Sequence, residues 1–201
     1  MGKALLIDLD GVIRTWRVDP AVPAERAVGL PAGSIQKAAF SRDLLLPAIT
    51  GQVSDPQWRR QIAARLQAEY PDVDAERAVQ LWSSSSGEVN KEVAALVREC
   101  RHKSSVILIS NATSRLSDDL RRLGIDDLFD HVINSSDIGY IKPQKEIFEA
   151  ALRHVGATTT DPFFVDDKAE HVAAAEATGI AGHVFRDVAS LRENLRHHGL
   201  I

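Results

Sequence analysis

The sequence predicts an α/β protein with a doubly wound parallel sheet, interrupted after its first strand by a helical insertion. Three observations carry this prediction. Short apolar runs at 4–8, 105–110, 131–135, 162–166 and 181–185 are mostly continuous rather than alternating, as in strands covered on both faces. Helical patterns alternate with these runs from about residue 104 onward, the signature of a doubly wound sheet. Between the first and second runs, the segment 14–101 offers helical patterns and no convincing strand. The expected division is therefore a core formed by 1–13 and 102–201, with 14–101 inserted into it.

The first run, ALLID, ends in Asp8, with Asp10 and Gly11 just beyond. Helices are expected at about 34–40, 42–49, 55–70, 75–82 and 88–101. The third of these carries Trp58, Ile62, Leu66 and Tyr70 as an apolar stripe for packing on other helices. The stretch SSSSG at 83–87 reads as a hinge or loop. The second run, SVILIS, ends in Ser110 and is followed by Asn111. A helix over 113–123 presents Leu116, Leu120 and Leu123 on one face. The third run, HVINS, leads to a loop with Lys142 before Pro143, a residue suited to the first turn of the next helix, 144–155. The fourth run, PFFVD, ends in Asp166 with Asp167 next. An alanine-rich helix over 168–178 closes at Gly179, and a helix at 188–197 follows the last run.

Composition narrows the function classes. The chain has 201 residues, 44% of them apolar, enough for a real core. A net charge of −4 gives no reason to expect nucleic acid or a membrane surface as partner. The single cysteine, Cys100, rules out an internal disulfide and suits a reducing, cytoplasmic setting. No apolar run approaches the length of a membrane span, and the first apolar run is too short for a signal peptide. A homo-oligomer is left open.

In an open parallel sheet, ligands bind beyond the carboxyl ends of the strands. Asp8 and Asp10, Ser110 and Asn111, Lys142, and Asp166 and Asp167 all follow apolar runs there. Converging acids need compensation, and one lysine is not enough. Oxygen donors without histidine or cysteine at ligand spacing suit Mg²⁺ rather than zinc. Mg²⁺ and Lys142 together would hold a phosphate, with the Ser110 hydroxyl donating to its oxygens. Asp8 would then be free to act as a nucleophile, and Asp10 to give and take the proton. The bland alternative for Asp8–Gly11 is a turn. A calcium loop is a poorer fit, because the positions reserved there for glycine and glutamate hold Ile13 and Asp19.

The motifs DLDGV at 8–12, LISNAT at 108–113, GYIKPQKEIF at 139–148 and FFVDDKAEHVAAAEATGI at 163–180 together resemble the haloacid dehalogenase superfamily. They come in the family's order and span nearly the whole chain. The resemblance implies a Rossmann-like core with a helical cap. It implies Asp8 as nucleophile, Asp10 as acid and base, and Mg²⁺ held by Asp8, the Asp10 main-chain carbonyl and Asp166, with Asp167 a further candidate. Ser110 and Lys142 would hold the phosphoryl group, with Asn111 either positioning it or bracing the loop. The family's dehalogenases work without Mg²⁺ and lack an acid two residues after the nucleophile. Asp10 therefore favours a phosphatase acting on a small phosphorylated metabolite. A phosphoglucomutase-like phosphotransferase, a 2-haloacid dehalogenase and a non-catalytic phosphate-binding module remain as alternatives.

The other notable residues have plainer expected roles. Asp167 either caps the following helix, pairs with Lys142 or binds metal. His171 stands where the family commonly has Asn, and reads as an exposed helix residue. Cys100 reads as a buried small hydrophobe. Trp58 and Trp82 read as cap packing, and Trp16 and Arg17 as the entry to the cap. Arg42, Arg59, Arg60 and Arg65 are basic cap residues whose orientation the sequence leaves open.

Overall fold

The chain was analysed as a computed structural model that describes residues 2–155 and 159–201. Five parallel strands form the central sheet: β1 (Gly2–Ile7), β4 (Ser104–Ser110), β5 (His131–Asn134), β6 (Thr159–Asp166) and β7 (Ala181–Val184). Their spatial order is β5-β4-β1-β6-β7. From β1 the chain winds outward through β4 to β5, then returns across the sheet to β6 and β7. The direction of winding thus reverses between β1 and β6, where a parallel sheet opens a crevice. Register places Ile7 opposite both Leu108 and Val165, so Asp8 and Asp166 emerge side by side into that crevice.

Both faces of the sheet are buried, which explains the continuous apolar runs. Leu5, Ile7, Val106, Leu108, Phe163 and Val165 point to one face. There they meet α6 (Lys91–Arg101), α7 (Leu116–Leu123) and α11 (Val188–His197). Ala4, Leu6, Ile107, Ile109 and Phe164 point to the other. They meet α9 (Lys145–His154) and α10 (Ala169–Glu176). A 3-10 turn (Asp126–Leu128) precedes β5, and the short α8 (Ser135–Ile138) follows it.

The inserted segment has a core of its own. It comprises α1 (Ala21–Val28), α2 (Ser34–Ala39), α3 (Arg42–Ile49), α4 (Asp55–Glu69) and α5 (Ala75–Ser84). Ile35, Ala48, Trp58, Ile62, Leu66 and Ala78 are buried within it. Glu25 is buried there too, and accepts from the backbone N–H groups of Gly33 (2.9 Å) and Ile35 (2.8 Å) at the start of α2. Two chain crossings join this unit to the sheet. They pair as a two-residue antiparallel ladder, β2 (Arg14–Thr15) with β3 (Glu88–Val89).

Two expectations change here. The segment 14–101 does contain strand, the short β2 and β3. The helix expected at 88–101 begins at Lys91 and packs Val93, Leu96, Val97 and Cys100 against the sheet, so it belongs with the core rather than the insertion. An amphipathic pattern specifies an apolar face but not the surface that covers it.

Candidate active site

The centre of the site is Lys142, whose side chain is 1% exposed. Its Nζ lies 2.7 Å from Asp8 Oδ1 and 2.7 Å from Asp166 Oδ2, and donates to the Ile109 carbonyl at 3.1 Å. All three protons of the ammonium group are thus directed at oxygens. Burial disfavours this charge, but the two carboxylates outweigh burial and hold the pKa of Lys142 above the ordinary lysine value. Asn111 braces the loop that carries Lys142. Its Oδ1 accepts from the Lys142 N–H (2.7 Å), and its Nδ2 donates to the Lys142 carbonyl (2.9 Å). These two bonds are the bracing role, one of the two expected of it. The Lys142–Pro143 peptide bond is cis.

The carboxylates are not alike. Burial raises the Asp8 pKa from 3.8 to about 6, with Lys142 opposing the rise and Asp166 adding to it. Asp166 moves the other way, to about 2, because hydrogen bonding to His171 and the Lys142 charge overcome its burial. The Lys168 N–H also donates to Asp166 Oδ1 at 2.8 Å. Asp167, half-buried, has its pKa raised by burial and by the neighbouring Asp166 charge. It neither caps α10 nor pairs with Lys142, and its Oδ1 is buried without a hydrogen-bond partner among the described residues.

His171 corrects an expectation. It is 4% exposed, and its Nδ1 lies 3.0 Å from both oxygens of Asp166. A carboxylate only accepts, so Nδ1 carries the proton. One turn into α10, the ring is directed back at the strand end. The alanine-rich helix around it carries no periodicity strong enough to mark that face as buried.

Asp10 is held apart from this cluster. Arg14 forks onto it, with Nε 2.5 Å from Oδ1 and Nη2 2.8 Å from Oδ2. Arg14 also donates to Asp119 (3.1 Å), which pairs in turn with Arg115 (2.7 Å). The Asp10 carboxylate is therefore turned to Arg14 of β2, which in turn reaches α7, while Asp8 faces Lys142. Ser110 is buried at the end of β4, next to Asn111. Gly11 makes this crowding possible. Its φ is +84°, and a Cβ there would lie 2.5 Å from Asp167 Oδ2.

Asp8, Asp166 and Asp167 each bring a carboxylate oxygen within 4.8 Å of the others. Three acids stand against one ammonium, every donor is oxygen, and Asp167 Oδ1 has no partner. This donor set fits a hard divalent cation. The Asp10 side chain is not in the cluster.

The family pattern of haloacid dehalogenase-like hydrolases matches residues 3–179. The chain belongs to that family. A relative among characterised proteins is the sesquiterpene phosphatase astK of Aspergillus oryzae, 26% identical over 198 residues, covering 95% of this chain and 94% of that protein. Among solved structures, a HAD family enzyme from Bacteroides thetaiotaomicron, complexed with magnesium and inorganic phosphate, superposes with a TM-score of 0.73 at 22% identity. The match covers 95% of this chain and 99% of that one. The L-2-haloacid dehalogenase of Xanthobacter autotrophicus, with chloropropionic acid covalently bound, matches at a TM-score of 0.65 and 18% identity, over 100% of this chain and 85% of its own. These two likenesses establish a shared HAD fold.

The residues that sequence reasoning missed are those that hold Asp10. Arg14 and Asp119 are far apart in the chain, and no motif joins them. The Arg115–Asp119 pair has helical spacing, a weak signal that was available. Among the described residues, no helix is long and apolar enough to cross a membrane.

Proposed function

We propose that this HAD-like hydrolase is a Mg²⁺-dependent phosphatase of small phosphate monoesters, working in the cytoplasm through an aspartyl-phosphate on Asp8. One observation carries the reading. Asp8 is a buried carboxylate beside a fully engaged lysine and two further acids, with a second carboxylate, Asp10, two residues on and held by Arg14.

At neutral pH Asp8 is ionised, since its pKa is raised only to about 6. Its oxygen attacks phosphorus as the ester P–O bond breaks. Lys142 draws charge from the phosphoryl oxygens, and the Ser110 hydroxyl donates to them. Asp10 protonates the departing alkoxide, then takes a proton from the water that cleaves the aspartyl-phosphate. Mg²⁺, held by Asp8, Asp166 and Asp167, would supply electrostatic stabilisation of the transferring group. The fungal phosphatase relative supports phosphate ester chemistry.

The test is aryl phosphate hydrolysis with Mg²⁺ and with EDTA, repeated on Asp8→Asn. Mg²⁺-dependent release that the substitution abolishes is expected. Folded protein inactive on a broad panel of phosphate esters refutes the reading. Metal-independent halide release from 2-chloropropionate would replace it with a dehalogenase.

A further inference from the structure

Between the inserted helices and the sheet lies a cavity of about 470 Å³, which opens onto Asp10 and Asn111. Small-molecule sites commonly span ~300–1,000 Å³. The leaving group of an ester attacked by Asp8 would extend into this space, on the side that Asp10 faces.

The wall combines apolar surface with charges that are already paired. Trp16, Phe40, Trp58 and Trp82 all line it, and they include the three tryptophans of the chain. Trp58 and Trp82 meet edge to face, with ring centroids 5.7 Å apart. These two therefore do more than pack the insertion. Trp16 is 39% exposed and Phe40 57%, so large apolar surface stands open beside the site. The Trp58 indole N–H is buried and has no partner among the described residues.

Three arginines also line the cavity, each paired with a carboxylate, and the acids beside them outnumber them. Arg14 is engaged by Asp10 and Asp119, Arg59 pairs with Asp55 at 2.7 Å, and Arg115 is engaged by Asp119 and the Ser83 carbonyl. Asp19 adds a fourth acid to the lining. A second phosphate or a carboxylate on the substrate would add negative charge to a lining where four aspartates already stand against three arginines. Where a sugar lay against the aromatic rings, its hydroxyls would lose water without a hydrogen bond in return.

We propose that the cavity selects phosphate esters with an apolar, uncharged leaving group, packed against Trp16, Phe40, Trp58 and Trp82. The inference rests on the phosphatase reading only for the phosphoryl head group. Apolar area removed from water supplies the preference, and covering about 100 Å² corresponds to roughly a hundredfold.

Two measurements test it. Values of kcat/KM are compared for decyl phosphate and 1-naphthyl phosphate against glycerol phosphate, glucose 6-phosphate and a phosphorylated carboxylic acid. The apolar esters are expected to lead by about a hundredfold, and Phe40→Ser to narrow that ratio about fivefold. Independently of turnover, decanol is expected to shift tryptophan emission to the blue at concentrations where glycerol has no effect. Equal or better turnover of the polar esters, or no decanol shift, overturns the proposal. A decanol shift without hydrolysis of any ester supports the apolar site and instead refutes the phosphatase reading.

Discussion

Replacing the nucleophile candidate Asp8 by asparagine is expected to stabilise the fold in metal-free buffer at neutral pH. Asp8 is 6% exposed at the end of β1, and its pKa rises from 3.8 to about 6 mainly through burial. A carboxyl with a raised folded pKa binds its proton more tightly in the native state. Its contribution therefore favours folding below pH 3.8 and is lost as pH climbs to about 6. Above that, the ionised group costs about 2–3 kcal/mol. Asparagine keeps the shape and cannot ionise. Lys142 loses one partner but retains Asp166 at 2.7 Å and the Ile109 carbonyl. The expected gain is about 2 kcal/mol at pH 7.5, or roughly 4–8 °C in Tm for a chain of this size. The assay is urea and thermal unfolding with EDTA at pH 7.5 and at pH 4, where the gain should nearly vanish. An Asp8→Asn protein no more stable than the wild type at pH 7.5, or one stabilised equally at pH 4, refutes this account of the buried charge.

Other substitutions probe the frame around the site. Gly11→Ala forces a Cβ to within 2.5 Å of Asp167 Oδ2 at a φ of +84°, so a stability loss of about 1–2 kcal/mol should accompany a several-fold weaker Mg²⁺ requirement curve. Unchanged urea midpoint and Mg²⁺ dependence would contradict that. Asn111→Ala removes both bonds to the Lys142 backbone, and kcat should fall about tenfold while the protein stays folded by circular dichroism. Unaltered kcat would mean the loop holds itself. Cys100 is fully buried, and burial pushes its thiol up to about 12, so thiol reagents at pH 8 should label it only after unfolding. Prompt labelling of native protein would show that α6 leaves the sheet.

Much of the fold was legible because parallel strands advertise themselves. A strand buried on both faces must be apolar throughout, so the acids at its end stand out, as Asp8 and Asp166 do. Other elements gave no such signal. The ladder of Arg14–Thr15 with Glu88–Val89 is too short for any alternation. Helix Ala21–Val28 begins after Pro20 and carries Pro23 in its first turn, which blurs its periodicity. The helix Lys91–Arg101 shows its apolar face plainly, yet only packing reveals that the sheet covers it.

By itself, the sequence determined which segments become the strands of the central sheet, which acids and which lysine stand at their ends, and that Asp10 follows Asp8 two residues on. These are local properties, written in the order and polarity of neighbouring residues. Only the tertiary structure decided how the charges are paired. Lys142 takes Asp8 and Asp166, Arg14 takes Asp10, and His171 turns inward to Asp166. Electrostatic partners are chosen by distance through space, and that distance exists only once the sheet has brought remote strand ends together. The same closure places all three tryptophans around one cavity, although the sequence spreads them over 67 positions from Trp16 to Trp82.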